Sequence, residues 1–236
     1  MKFDRNITSD NDRDVAFDVG SEIFDAALAE CRSSPITSAD KPTTPAQSKR
    51  TDLRSVLRDQ TERDHRDLDA LVGDVWIDRE SYAAYILMNH RAHHVVEPWI
   101  ESALQRRDVT LPYQAMRHAL DRDLEALEEK PLSASRSFFS DLSELTALAG
   151  ALYVLEGSRL GARMLHRKVI ASTWIDRLEP RPIAFFETAR ASGNFSQRMG
   201  ILDTLMKDGD DLESAVQVAK SVFALFRETA EQARAR

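Results

Sequence analysis

Residues 147–165 read ALAGALYVLEGSRLGARML. Apolar residues recur in this stretch at helical rather than alternating spacing. The pattern extends on both sides to about 137–171, far longer than a strand. Gly157 and Gly161 lie four residues apart and therefore stack on one helical face, with Gly150, Tyr153 and Met164 along the same side. Glycine costs a helix interior roughly 1 kcal/mol relative to alanine, so repeated glycines on one side imply that something approaches the backbone closely. Two occupants satisfy that requirement: a flat macrocycle, or another helix packed across a face of small residues.

Working outward, five further segments carry the same periodicity, at about 52–72, 79–107, 112–129, 181–206 and 211–234, separated by polar or proline-bearing breaks. With eight glycines and eight prolines in 236 residues, the turn signals of an all-β chain are scarce. The chain reads as all-α, a multi-helix bundle with irregular crossings. Pro98 falls inside the second segment, where its missing N–H and its ring predict a bend. Residues 1–50 differ: SSPITSADKPTTPAQSK is too polar to bury enough surface to order itself, which predicts a disordered N-terminal extension before a helical domain over 51–236. Within the extension, Ile23, Phe24, Ala27 and Leu28 share one helical face, so a short docking helix that binds a protein partner is the competing expectation to a frayed one.

The segment LRSVLRDQTERDHRDLDALV at 53–72 has Leu53, Leu57, Leu68 and Leu71 as an apolar stripe, with His65 at its edge. At 100° per residue, Arg58, Asp69 and Val72 fall within about 40° of His65, so a base, an imidazole and a carboxylate share one side. A neutral imidazole binds iron through one nitrogen while the other donates to a carboxylate, and Asp69 is placed for that role. A plain surface or core histidine is the alternative. His90, His94 and Glu97, at i, i+4 and i+7, form a weaker metal-binding set, with no cysteine ligands nearby. Glu62 and His65 make half of a di-iron motif whose second Glu-x-x-His is missing. His118 and His166 have no evident partners and are expected to be solvated.

The 32 Lys and Arg against 39 Asp and Glu give a net charge of −7, which argues against a nucleic-acid binder. One cysteine, Cys31, cannot form an internal disulfide, and no run approaches the ~18 apolar residues of a membrane span. No signal peptide and no membrane contact are expected, and a reducing cytoplasm is the natural compartment.

LRDQTERDHRDLDAL and LYVLEGSRLGARML together resemble the proximal and distal helices of the heme oxygenase family, especially its bacterial, biliverdin-producing, phytochrome-associated type. SYAAYILMNHRAHHVVEPWIE is similar to that family's second helix, and the resemblance covers about 51–175. It implies an oxidoreductase for which heme is both cofactor and substrate, opened with O₂ and electrons from an external ferredoxin or reductase to biliverdin, CO and iron. By the same resemblance His65 is the axial iron ligand, Asp69 its hydrogen-bonding neighbour and Arg58 a contact for a heme propionate. Gly157 and Gly161 then lie over the distal heme face, with Tyr153 and Ser158 in the distal polar network. Asp69 is shorter than the glutamate frequent at that place, Ala162 replaces a second glycine, and the extension is unusual. A non-catalytic relative that acts as a regulator through protein binding is the alternative.

Overall fold

The computed structural model describes residues 52–133, 144–193, 195–206 and 212–236. The N-terminal extension, its amphipathic segment and Cys31 lie outside them. Among the described residues there are seven α-helices: α1 (Leu53–Val72), α2 (Arg79–Arg106), α3 (Arg117–Ala126), α4 (Glu144–Ile170), α5 (Ala184–Ala191), α6 (Phe195–Leu205) and α7 (Leu212–Arg234). No described helix is long and apolar enough to cross a membrane.

The helix ends follow local chemistry. Asp52 accepts the Ser55 amide at 3.1 Å to start α1, and Asp78 accepts that of Ser81 at 2.7 Å to start α2. Gly73 ends α1 at φ 62°, a left-handed conformation that a side chain would strain, while its N–H bonds the Asp69 carbonyl. The helix α2 runs on through Pro98. Two later helices lack a capping side chain of their own and take one from another element. Glu97 of α2 accepts the backbone N–H groups of Met116 and Arg117 at the head of α3, and Asp123 of α3 accepts those of Ala184 and Phe185 at the head of α5.

Around the core, α7 packs on α1, α2 and α4, while α3 and α5 cover α2 and α4. The buried face of α7 mixes Ala215, Ala219 and Ala230 with Val222, Phe223 and Phe226, so its backbone comes close to some neighbours and stands off from others.

Two expectations change. The segment at 112–129 is helical only from Arg117 to Ala126. Glu97 sets the helix start by accepting the Met116 and Arg117 amides, and Glu128, at φ 55°, lies just beyond its other end. The segment at 181–206 is split into α5 and α6 at Ser192, which is extended at φ −69°, ψ 140°. The broken backbone is satisfied by two arginines: Arg163 donates to the carbonyls of Ala189, Ser192 and Gly193, and Arg198 donates to that of Gly193.

Candidate functional site

Where α7 stands off from α4, a pocket opens between α1, α2, α4 and α7. His65, Leu68 and Asp69 form its α1 wall, and Val154, Gly157, Ser158, Gly161 and Leu165 its α4 wall. Tyr85, Met88 and Asn89 of α2 and Phe223 and Phe226 of α7 complete it. Its free volume is about 110 Å³. That is below the ~300 Å³ of a typical small-molecule site, so a large guest has to extend outward or part the helices.

The α4 wall is bare where the glycines sit. A Cβ built on Gly157 or Gly161 meets nothing within 4 Å, whereas one on Gly150 would come within 2.2 Å of the Ala215 carbonyl oxygen. Gly157 and Gly161 thus leave open space, and Gly150 instead makes the crossing with α7 tight.

His65 packs against the Phe223 ring at 4.2 Å between centroids and against the edge of Tyr153 at 6.0 Å. Burial lowers its imidazole to about 3, so the ring is neutral and keeps a lone pair at any ordinary pH. Asp69, one turn along, is pushed up to about 6 by burial in the same apolar surroundings. The Tyr153 hydroxyl lies 3.4 Å from the Nε2 atom of His65, and Tyr153 is not among the residues that line the pocket. Arg58 does not reach the pocket: its guanidinium closes on Asp59 at 2.9–3.0 Å. Angular proximity on the helix was correct for Arg58, but the adjacent carboxylate takes the charge.

Ser158 joins the pocket to a buried polar chain that the sequence reading missed. Its Oγ donates to the Leu155 carbonyl at 2.8 Å and lies 3.2 Å from Nε2 of His93, whose Nδ1 is 2.9 Å from Glu97. Burial alone would raise the Glu97 carboxyl. The facing His93, the Met116 amide and Arg159 outweigh it and hold Glu97 down to about 2. Arg159 in turn pairs with Glu156 at 2.7 Å, and Glu156 with Arg198, all of them buried. His93 and Glu97 stand at i, i+4, a visible signal that the other histidines of the run obscured.

The metal-binding set is also corrected. Glu97 faces His93 and the head of α3, not His90 and His94. Those two share a different carboxylate, Asp121 of α3. His118 is 92% exposed, as expected. His166 is not solvated: it is 6% exposed beside the Phe186 ring, because α5 covers that side of α4.

No family model matches the chain. Over 191 residues the chain is 30% identical to the heme oxygenase PigA of Pseudomonas aeruginosa, a match that covers 79% of this chain and 96% of that protein. Its fold is shared with the NO- and CO-bound heme oxygenase from Neisseria meningitidis, at a TM-score of 0.59 and 22% identity over 79% of this chain and 94% of that one.

Proposed function

The chain belongs to the heme oxygenase family, and we propose that it cleaves heme to biliverdin, CO and iron, with heme as both cofactor and substrate. One observation supports this most: a neutral histidine, His65, stands on α1 across a pocket whose α4 wall is bare at Gly157 and Gly161. The pocket suits a flat apolar guest, since the bare glycines of α4 and the Phe223 and Phe226 rings of α7 offer uncharged surface, with Asp69 as the acid in the lining.

When bound, heme supplies the iron that activates O₂ and the ring carbon that is oxidised. His65 is the residue to hold that iron, through a nitrogen that burial keeps unprotonated. Tyr153 brings its hydroxyl to Nε2 of His65, where it would help to orient the ring, and Asp69 offers a carboxyl near its own titration point in the pocket lining. Gly157 and Gly161 leave room beside α4 for small molecules and water. Ser158, His93 and Glu97 form a hydrogen-bonded path by which a proton is held at, or passed from, the Ser158 hydroxyl. Arg58 serves a propionate only after leaving Asp59. Electrons come from an external ferredoxin or reductase, a cytoplasmic setting suits the lone cysteine, and a protein partner for residues 1–50 completes the reading.

Adding hemin to the purified protein tests it. A sharp Soret band, followed by biliverdin on supplying reductant, is expected, and His65→Ala should lose the normal axial-ligand spectrum. A wild-type spectrum in His65→Ala would remove His65 as the ligand. Stable heme without turnover would favour the regulator.

A further inference from the structure

We propose that His90, His94 and Asp121 form a binding site for a divalent first-row transition-metal ion, of the Zn²⁺ class, on the interface between α2 and α3. His90 and His94 lie one turn apart on α2, with their rings stacked at 4.1 Å between centroids and 27° between planes, so both Nε2 atoms face the same way. Asp121, from α3, brings Oδ1 to 3.0 Å from Nε2 of His90 and 2.8 Å from that of His94. All three ligand atoms lie within 4.8 Å of one another.

A tetrahedral ion with bonds of ~2.0–2.2 Å holds its ligand atoms about 3.4 Å apart, so the two imidazole–carboxylate distances must open by about half an ångström and the two Nε2 atoms, within 4.8 Å of each other, must settle near the same spacing. Asp121 and His94 are partly exposed and able to make that adjustment, while His90 is anchored by burial. His118 stands one turn before Asp121 on α3, its Nδ1 3.9 Å from Oδ2 of Asp121, and its exposure lets it swing in as a fourth ligand. Two imidazoles and a carboxylate, with no thiolate, suit borderline divalent ions better than soft monovalent ones. Such an ion would tie α2 to α3 on the side away from the heme pocket, to which α3 gives no wall residue among those described. The competing account is a metal-free clasp in which Asp121 accepts an N–H from each ring.

Calorimetric titration of Zn²⁺ into the heme-free, metal-stripped full chain separates the two. The site requires one Zn²⁺ per chain, with affinity falling about tenfold or more in both His94→Ala and Asp121→Ala and unchanged in His65→Ala. Both side chains to be removed are partly exposed, so the fold should survive, and circular dichroism checks that it does. Replacing Zn²⁺ with Co²⁺ should give visible ligand-field bands that disappear in the same two variants. Zn²⁺ binding no tighter than about 1 mM, or equal binding by wild type and both variants, overturns the proposal.

Discussion

One helix, α4, carries glycines that serve opposite ends. At Gly150 the Ala215 carbonyl of α7 occupies the place a side chain would take, with the Val218 Cβ at 3.0 Å. Two turns on, at Gly157 and Gly161, the corresponding place is empty. Residues seven apart on a helix differ by only about 20°, so spacing puts all three on one side and says nothing of what lies over each. The angle at which α7 crosses α4 decides that: contact at one end, a pocket lined by Phe223 and Phe226 at the other. Missing side chains at even spacing are therefore evidence of close approach, and the neighbouring helix determines whether backbone or ligand approaches.

The sharpest break of this contrast is Gly150→Leu. A Cβ at 2.2 Å from a backbone carbonyl cannot be relieved by a side-chain rotation, so α4 and α7 must separate. Overpacking of this kind costs about 3 kcal/mol or more, well beyond the ~1 kcal/mol that replacing glycine gains in helix propensity. Chemical denaturation should show a large loss of stability in the heme-free protein. Wild-type stability would mean that α7 does not cross α4 as described.

The helices were legible because 3.6-residue periodicity is local, and so were His65, Gly157 and Gly161, whose residue types stand out within their own segments. Asn89, His93, Phe223 and Phe226 were not, since nothing in α2 or α7 by itself reveals which part of the helix borders a gap. His166 failed for the same reason: it lies opposite the glycine face, yet α5 covers it with Phe186. Arg58 shows a different limit, as a helical wheel fixes the Cβ and not the choice of Asp59 as partner in the heme-free chain. Of the two trans caps, Asp123 carries no signal of its own in the sequence, and Glu97 reads there as a partner of His90 and His94, because neither role exists until α3 and α5 are docked.

The open end should also carry its own titration, of intermediate size. His65 is lowered to about 3, so the native state resists a proton that the unfolded chain accepts near 6.5. Its contribution is present above pH 6.5 and is lost as pH falls toward 3. Asp69 is raised to about 6 and works in reverse: its contribution is present below pH 3.8 and lost as pH rises through 6. Between pH 6 and 4 the two nearly cancel in the heme-free wild type. Asp69→Asn should expose the histidine, with stability falling toward pH 4, whereas His65→Gln should expose the acid, with stability rising. At ~1.4 kcal/mol per proton and pH unit, less the partial protonation at either end, each slope amounts to about 2 kcal/mol over those two pH units. Parallel slopes in the two variants would show that these groups do not face the same dry wall.

The smallest effect on heme-free stability belongs to Gly161→Leu, and its smallness is the point. With nothing within 4 Å of the new Cβ, the side chain enters the pocket without displacing a neighbour. Leucine then gains most of the ~1 kcal/mol that glycine forfeits in a helix, so the heme-free variant should be as stable as wild type or slightly more so. The same side chain fills space that the guest needs, in a pocket with only about 110 Å³ free. Hemin titration should therefore show a weakened or altered Soret band in a protein whose denaturation curve is unimpaired. The opposite pattern, clear destabilisation with heme binding untouched in the folded fraction, would make Gly161 a second Gly150. The open end of α4 would then be a packing surface, and the main support for His65 as a ligand facing a bare helix would be lost.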